Sequence, residues 1–194
     1  MNPSQVDNMG LYLRFLTKND HKFEEFRQLF VGTAYTIAKV LSPIEELQTE
    51  DMEALVADKV IKAFDEIRRP VFVDHTGLQL ESLDGFPGGL TEIFWERLKN
   101  ERLAQLFGNS PVTAVTLIGY CDGKSIRTFR GEVKGMIAPA PRGPAGFQWD
   151  PVFIPEGHSE TFAELGRKKN DISMRRLAIN RFIADLDRRH DEHH

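Results

Sequence analysis

The feature that most constrains this chain is the alternation, through its first half, of short apolar runs with apolar residues at helical spacing. Leu11 to Leu16 is an apolar run broken by Arg14; polar Thr17-Lys18-Asn19-Asp20 follows, and then Phe23, Phe26, Leu29 and Phe30 recur at helical intervals. Thr36 to Leu41 reads as a second strand, ended by Ser42-Pro43. From Asp51 to about Ile67 the pattern predicts a helix with an acidic first turn, which suits the positive end of its dipole, and an apolar stripe of Leu55, Val56, Val60, Ile61 and Phe64. Pro70 introduces Val71-Phe72-Val73, a short buried strand with Asp74 and His75 at its C-terminal end, while Leu78-Gln79-Leu80 alternates as an extension. Strands and helices in alternation place the chain in the α/β class.

The second half is punctuated differently. Asp84 to Gly89 is a loop, and Thr91 is read as the cap of a helix carrying Ile93, Phe94, Leu98, Leu103 and Leu106. Thr113 to Tyr120 and Ser125 to Val133 flank an Asp122-Gly123 pair, which predicts a hairpin and a two-stranded arm. Between Pro139 and Pro151, four prolines and two glycines surround Phe147 and Trp149, too many breakers for regular structure. A last helix from about Ile172 carries Leu177, Ala178, Phe182, Ile183 and Leu186. With 194 residues and no repeat or linker, we expect a flexible N-terminus at residues 1–10, one domain over 11–187 and a flexible tail over 188–194, whose histidines receive no function.

Composition removes several classes of function. A formal net charge of -4 provides no broad basic face for nucleic acid, and a single cysteine, Cys121, permits neither an intramolecular disulfide framework nor a Cys-rich zinc site. No apolar run approaches the ~18 residues of a membrane span, and the first residues lack a signal pattern. These readings lead us to expect a cytoplasmic protein.

The chemistry must then come from oxygen and nitrogen groups. Thr17, Lys18, Asn19 and Lys22 lie at a strand-to-helix junction, where unpaired backbone N–H groups favour phosphate, although polar residues open most helices. Glu45 and Glu46 follow the second strand and Asp74 belongs to the third, so these acids are read as one rim; Mg²⁺ prefers such oxygens, and solvated loop acids look the same in sequence. Lys59 and Lys62 lie on the helix between. Phe147-Gln148-Trp149-Asp150 sets aromatics at i and i+2 beside a carboxylate, which suits purine stacking as well as a pinned loop. Arg167-Lys168-Lys169-Asn170 and Arg175-Arg176 form a basic cluster that serves either as a phosphate or base grip or as a wet face.

Together these segments resemble the inosine triphosphate pyrophosphatase family. Thr17-Lys18-Asn19-Asp20-His21-Lys22-Phe23-Glu24-Glu25 is similar to its T/S-x-N-x-x-K-x-x-E opening, and Asp74 to Gly89 to its D-(S/T)-G-L segment and G-x-P-G loop. Phe129 to Gly135, Ala140 to Gly143, Gly146 to Phe153 and Lys169 to Arg175 follow in order, so that the resemblance spans Leu11 to about Phe182.

It implies an elongated two-lobed α/β fold with a long mixed central sheet, a nucleotide cleft between the lobes, a homodimer, and Mg²⁺-dependent attack of water on the α-phosphate of an aberrant purine triphosphate such as ITP, dITP or XTP. Carried over by position, Thr17, Asn19 and Lys22 hold the triphosphate with Lys59 assisting, and Glu46 and Asp74 hold Mg²⁺. Phe147, Trp149, Asp150, Lys169 and Arg175 form the purine pocket, where Arg175 reads the 6-carbonyl; Thr76, Gln148 and Met174 stand at matching substrate-site positions. The chain departs from the pattern at His75, which replaces an acid and becomes a candidate general base beside Asp74. It departs again at Met174, which replaces a histidine, and at Thr91 to Phe94, which lacks a basic residue. The replacement at His75 also motivates the alternative of a nucleotide-binding or regulatory protein with weakened catalysis.

Overall fold

The structure, a computed structural model, describes residues 11–144 and 147–192. β1 (Leu11–Leu16), α1 (Asp20–Leu29), β2 (Tyr35–Val40) and α2 (Met52–Ile67) realise the alternation of the first half. The Asn19 side chain accepts from the Lys22 amide at 3.0 Å and Asp51 from the Ala54 amide at 2.9 Å, so each helix begins on a satisfied orphan donor. β3 (Val71–Leu80), β4 (Pro111–Cys121), β5 (Ile126–Ile137) and β6 (Phe153–Pro155) complete a six-stranded mixed sheet of order β2-β1-β3-β4-β5-β6. β1 is parallel to β2 along its length but to β3 only at Arg14–Val71 and Phe15–Phe72. Beyond Phe72 the β1-facing edge of β3 therefore has no strand partner until the isolated bridge of Gln79 to Pro87.

Several sequence expectations are corrected here. The strand expected to end at Asp74 and His75 continues to Leu80, paired residue by residue with β4, so that both residues are mid-strand. Gly77 permits this: a Cβ there would collide with the Gly88 carbonyl and crowd the Thr91 hydroxyl, both pressed onto the strand. Thr91 is accordingly no cap. It is the first residue of α3 (Thr91–Phe107), and its hydroxyl accepts from the Leu78 amide at 2.8 Å and donates to the Gly88 carbonyl at 2.6 Å. The β4–β5 hairpin is no projecting arm either, because β4 is buried from Ala114 to Cys121 between β3 and β5.

Three apolar clusters hold the layers. On one sheet face α1 and α6 (Met174–Asp191) pack around Phe15 and Phe72, whose rings stack at 4.5 Å, together with Phe26 and Phe182. On the other face α2 sets Leu55, Val56, Val60 and Ala63 against Val71, Val73, Val115 and Leu117. Farther along, α3 and the short α4 (Phe162–Leu165) bury Leu103, Trp149, Phe153 and Phe162 against Leu78, Leu80, Val112 and Ala114. β3, β4 and β5 thus run through two lobes, in keeping with the expected two-lobed α/β fold. Ile61, Ile93, Leu106 and Leu177, expected on apolar stripes, are exposed, and Met52 and Ala63 complete the buried stripe of α2 instead.

The last helix differs in both its start and its end. A separate turn, α5 (Lys169–Ile172), precedes it, and Ser173 caps α6 by accepting from the Arg176 amide at 3.2 Å. α6 continues through Asp191, so residues 188–191 of the expected tail form exposed final turns. Residues 1–10, 193 and 194 lie outside the described residues. Among those described, no helix is long and apolar enough to cross a membrane.

Candidate active site

A cavity of about 280 Å³ occupies the opened edge of β3. The β1–α1 turn contributes Thr17, Lys18, Asn19 and Lys22; the segment after β2 contributes Ser42, Ile44 and Glu46; Lys59 enters from α2, and Asp74, His75 and Thr76 from β3. Period-two alternation places Asp74 and Thr76 on the face of α1 and α6, and His75 on the face of α2. One strand thereby supplies both sides of the cavity.

Its charges are paired across elements. Lys22 Nζ lies 3.2 Å from Asp74 Oδ2, and Lys59 Nζ donates to Glu46 Oε1 at 2.9 Å and to the Asp74 carbonyl at 3.1 Å. Burial pushes the Asp74 carboxyl up, but Lys22, Arg175 and Lys59 outweigh it and hold the pKa below the usual carboxylate value. Glu46 is lowered as well, chiefly by its contact with His75 and then by Lys59 against the opposing effect of burial. Burial lowers the Lys22 pKa, assisted by the neighbouring cations Lys59 and Arg175 and opposed by Asp74.

His75 is buried, with Nδ1 3.4 Å from Glu46 Oε1. A proton on Nδ1 directed at that ionised carboxylate leaves Nε2 as the lone-pair nitrogen. Nε2 has no hydrogen-bond partner among the described residues. Nor do the described residues contain a group of three or more His, Cys, Asp and Glu able to hold a metal ion. The carboxylates lining the cavity are Glu46, Asp74 and, from α3, the exposed Glu92.

A second cavity, of about 330 Å³, is lined by His21 and Glu25 from α1, by Phe147 and Asp150, and by Lys169 from α5. The His21 and Phe147 rings lie 6.0 Å apart, tilted by 43°. Lys169 Nζ donates to Asp150 Oδ2 at 2.7 Å, with both side chains under a tenth exposed. Burial raises the Asp150 pKa despite this partner. Arg175, 1% exposed, lines neither cavity but ties a wall residue of each, being ion-paired with Glu25 of the second and donating from Nη2 to Thr76 Oγ1 of the first at 3.3 Å. Its Nε is buried without a partner among the described residues.

Not every sequence candidate reaches a cavity. Trp149 is buried in the α3 lobe, edge-on to Phe153 at 5.5 Å, and Met174 packs into the same cluster. Gln148 adopts φ 46°, which turns it toward the first cavity while Phe147 lines the second. Arg167 is exposed but does line the second cavity, Lys168 is exposed, and Arg176 donates to the Asn170 and Leu29 carbonyls. Sequence reasoning passed over Glu25, Ser42 and Glu92. Only Glu25 had a signal, as the final acid of the segment opening at Thr17.

The Ham1 family profile matches residues 13–185. The chain belongs to the Ham1 family. The dITP/XTP pyrophosphatase of Methanopyrus kandleri is 36% identical over 174 residues, covering 87% of this chain and 92% of its own length. That of Saccharolobus solfataricus is 34% identical over 182 residues, covering 92% and 95%. Among solved structures, the Ham1 protein of Staphylococcus aureus superposes with a TM-score of 0.73 at 26% identity, covering 91% of this chain and 98% of that one. A HAM1 protein from Coxiella burnetii, at TM-score 0.72 and 23% identity over 92% and 99%, shares the fold. The Ham1 match includes the β1–α1 turn, β3 and α5, which all contribute residues to the two cavities.

Proposed function

We propose that this protein hydrolyses non-canonical purine nucleoside triphosphates such as dITP, ITP and XTP to the monophosphate and pyrophosphate, with Mg²⁺. The observation that carries the proposal is the joining, by buried Arg175, of a cavity of lysines and ionised carboxylates to one with an aromatic wall and a buried Asp150–Lys169 pair. Relatives that cover most of the chain bear the name dITP/XTP pyrophosphatase.

In this reading Thr17, Asn19, Lys22 and Lys59 hold the triphosphate, whose charge favours the protonated lysines. Glu46 and Asp74 suit Mg²⁺ because both are held ionised, present hard oxygens to one cavity and leave the rest of the coordination shell to water and phosphate. The ion would neutralise charge on the phosphates. His75 Nε2 accepts the proton of the water whose oxygen bonds the α-phosphorus as the α–β bridging bond breaks and pyrophosphate leaves; Asp74 keeps Lys22 charged and placed. Phe147 stacks on the base, and Asp150 and Lys169 meet its polar edge. The unpartnered Arg175 Nε–H suits the 6-carbonyl of hypoxanthine or xanthine, whereas adenine presents a donor there. Trp149 supports Phe147 from the core. The homodimer and the cytoplasmic location belong to the same proposal, and light scattering after size exclusion tests the first.

The test incubates the protein with a purine triphosphate panel, with Mg²⁺ or with chelator, and measures monophosphate and pyrophosphate together. Equal amounts of both from dITP, abolished by chelator, are expected. Diphosphate plus orthophosphate would overturn the proposal, and tight nucleotide binding without turnover would favour a nucleotide-binding role.

A further inference from the structure

α3 is broken at Lys99, whose φ of 53° and ψ of -179° interrupt the helix between Leu98 and Asn100. A residue with a Cβ is disfavoured at such a positive φ, and strain of this kind persists only where surrounding contacts fix it. Those contacts are visible. The Lys99 ammonium sits 4.3 Å from the centre of the Trp95 ring, and Trp95 Nε1–H donates to Asn100 Oδ1 at 2.9 Å. The Asn100 Nδ2 amide donates to the backbone carbonyl of Gln148 at 3.0 Å. An indole N–H can only donate and a carbonyl can only accept, so a single orientation of the Asn100 amide satisfies both neighbours.

The far end of this chain of bonds is the second strained residue, Gln148 at φ 46°. Its position is decisive, because Gln148 lines the cavity of Lys22 and Asp74 while Phe147 and Asp150 line the cavity of Lys169. The turn that straddles the two cavities is therefore tied to α3 by the Asn100 side chain at its middle.

We propose that Asn100, presented by the break in α3 at Lys99 and oriented by Trp95, is a positioning residue that fixes the turn Phe147–Asp150 between the base cavity and the triphosphate cavity. The proposal rests on reading these cavities as one nucleotide site. Asn100→Asp is the sharp perturbation: the carboxylate still accepts from Trp95 but has no proton for the Gln148 carbonyl, and two acceptors then face each other. Trp95→Phe removes only the orienting donor and should have a smaller effect in the same direction.

The test has two arms. Without nucleotide, Asn100→Asp should speed hydrogen exchange at the Asp150 and Val152 amides, which close the turn onto the Phe147 and Trp149 carbonyls at 3.0 Å each, and leave β4 unchanged. With dITP and Mg²⁺, KM should rise about tenfold, equivalent to ~1.4 kcal/mol, while kcat holds. Exchange accelerated throughout the α3 lobe, or an unchanged KM for dITP in a variant of a wild type that turns it over, would overturn the proposal. Faster exchange confined to 147–152 in a protein whose wild type leaves dITP intact would uphold the latch and remove the nucleotide reading instead.

Discussion

Lys169→Met isolates the buried ion pair that we assign to the base cavity. Lys169 Nζ and Asp150 Oδ2 are 2.7 Å apart with side chains 8% and 9% exposed, and the lysine also lies 5.4 Å from the Phe162 ring centre. Methionine retains the packing against Phe162 and removes the charge, leaving a buried carboxylate without its counter-ion. Breaking a buried pair in this way costs about 3–5 kcal/mol, a large part of the ~5–15 kcal/mol that stabilises a typical domain. The sign with pH follows from Asp150, whose pKa burial already raises above the ordinary carboxylate value and which loses an opposing influence in the variant. A carboxyl with a raised folded-state pKa costs stability only once it is ionised. The variant's deficit should therefore be small near pH 4, grow as pH rises, and flatten once Asp150 is ionised in both proteins. Urea unfolding at a series of pH values from 4 to 8 measures it. A deficit under ~1 kcal/mol, as for an exposed pair, or one that does not change with pH, would refute the assignment.

Three further perturbations separate the parts of the site. Lys22→Ala should weaken triphosphate binding by about 1.5 to 3 kcal/mol in titration calorimetry, with the fold retained by circular dichroism; unchanged affinity would remove Lys22 from the site. His75→Ala should slow pyrophosphate release, and His75→Asp should lower the Mg²⁺ concentration needed; a folded His75→Ala protein matching wild type in rate would rule out the base role. Trp149→Ala should cost roughly 3–5 kcal/mol of stability as a core truncation, whereas Phe147→Ala should leave the melting temperature near wild type and weaken base binding by about 1–3 kcal/mol. The reverse pattern would return the stacking role to Trp149.

What could be read from the sequence follows the range over which each signal acts. β1, α1 and α2 announced themselves because apolar spacing and the caps Asn19 and Asp51 are local properties. β3 was cut short in the reading because Asp74, His75, Thr76 and Gly77 look like a strand end. They lie mid-strand, with Asp74, His75 and Gly77 buried and Thr76 half-buried, because Lys22, Glu46, Arg175 and the Gly88–Thr91 turn, all distant in sequence, satisfy or cover them. Phe147 and Trp149 look equivalent two residues apart, and only the positive φ of Gln148 sends one to a cavity and the other to the core. Residue type alone does not separate Lys169 from Arg167 and Lys168; the family motif singles it out, and the fold supplies the reason by setting Asp150 2.7 Å from it. The site residues were legible as motifs. Their pairing was not, since an ion pair such as Arg175 with Glu25 depends on how α6 crosses α1.

The most direct measurement is the ratio of kcat/KM for dITP to that for dATP, determined on the purified protein at one Mg²⁺ concentration by pyrophosphate release. The proposed reading of the base carbonyl by Arg175, which Glu25 and Thr76 hold in place, predicts a ratio of at least about 10² in favour of dITP, since the amino group of adenine leaves two donors opposed. Equal values for the two nucleotides would contradict both the base-reading role of Arg175 and the non-canonical purine triphosphate as substrate.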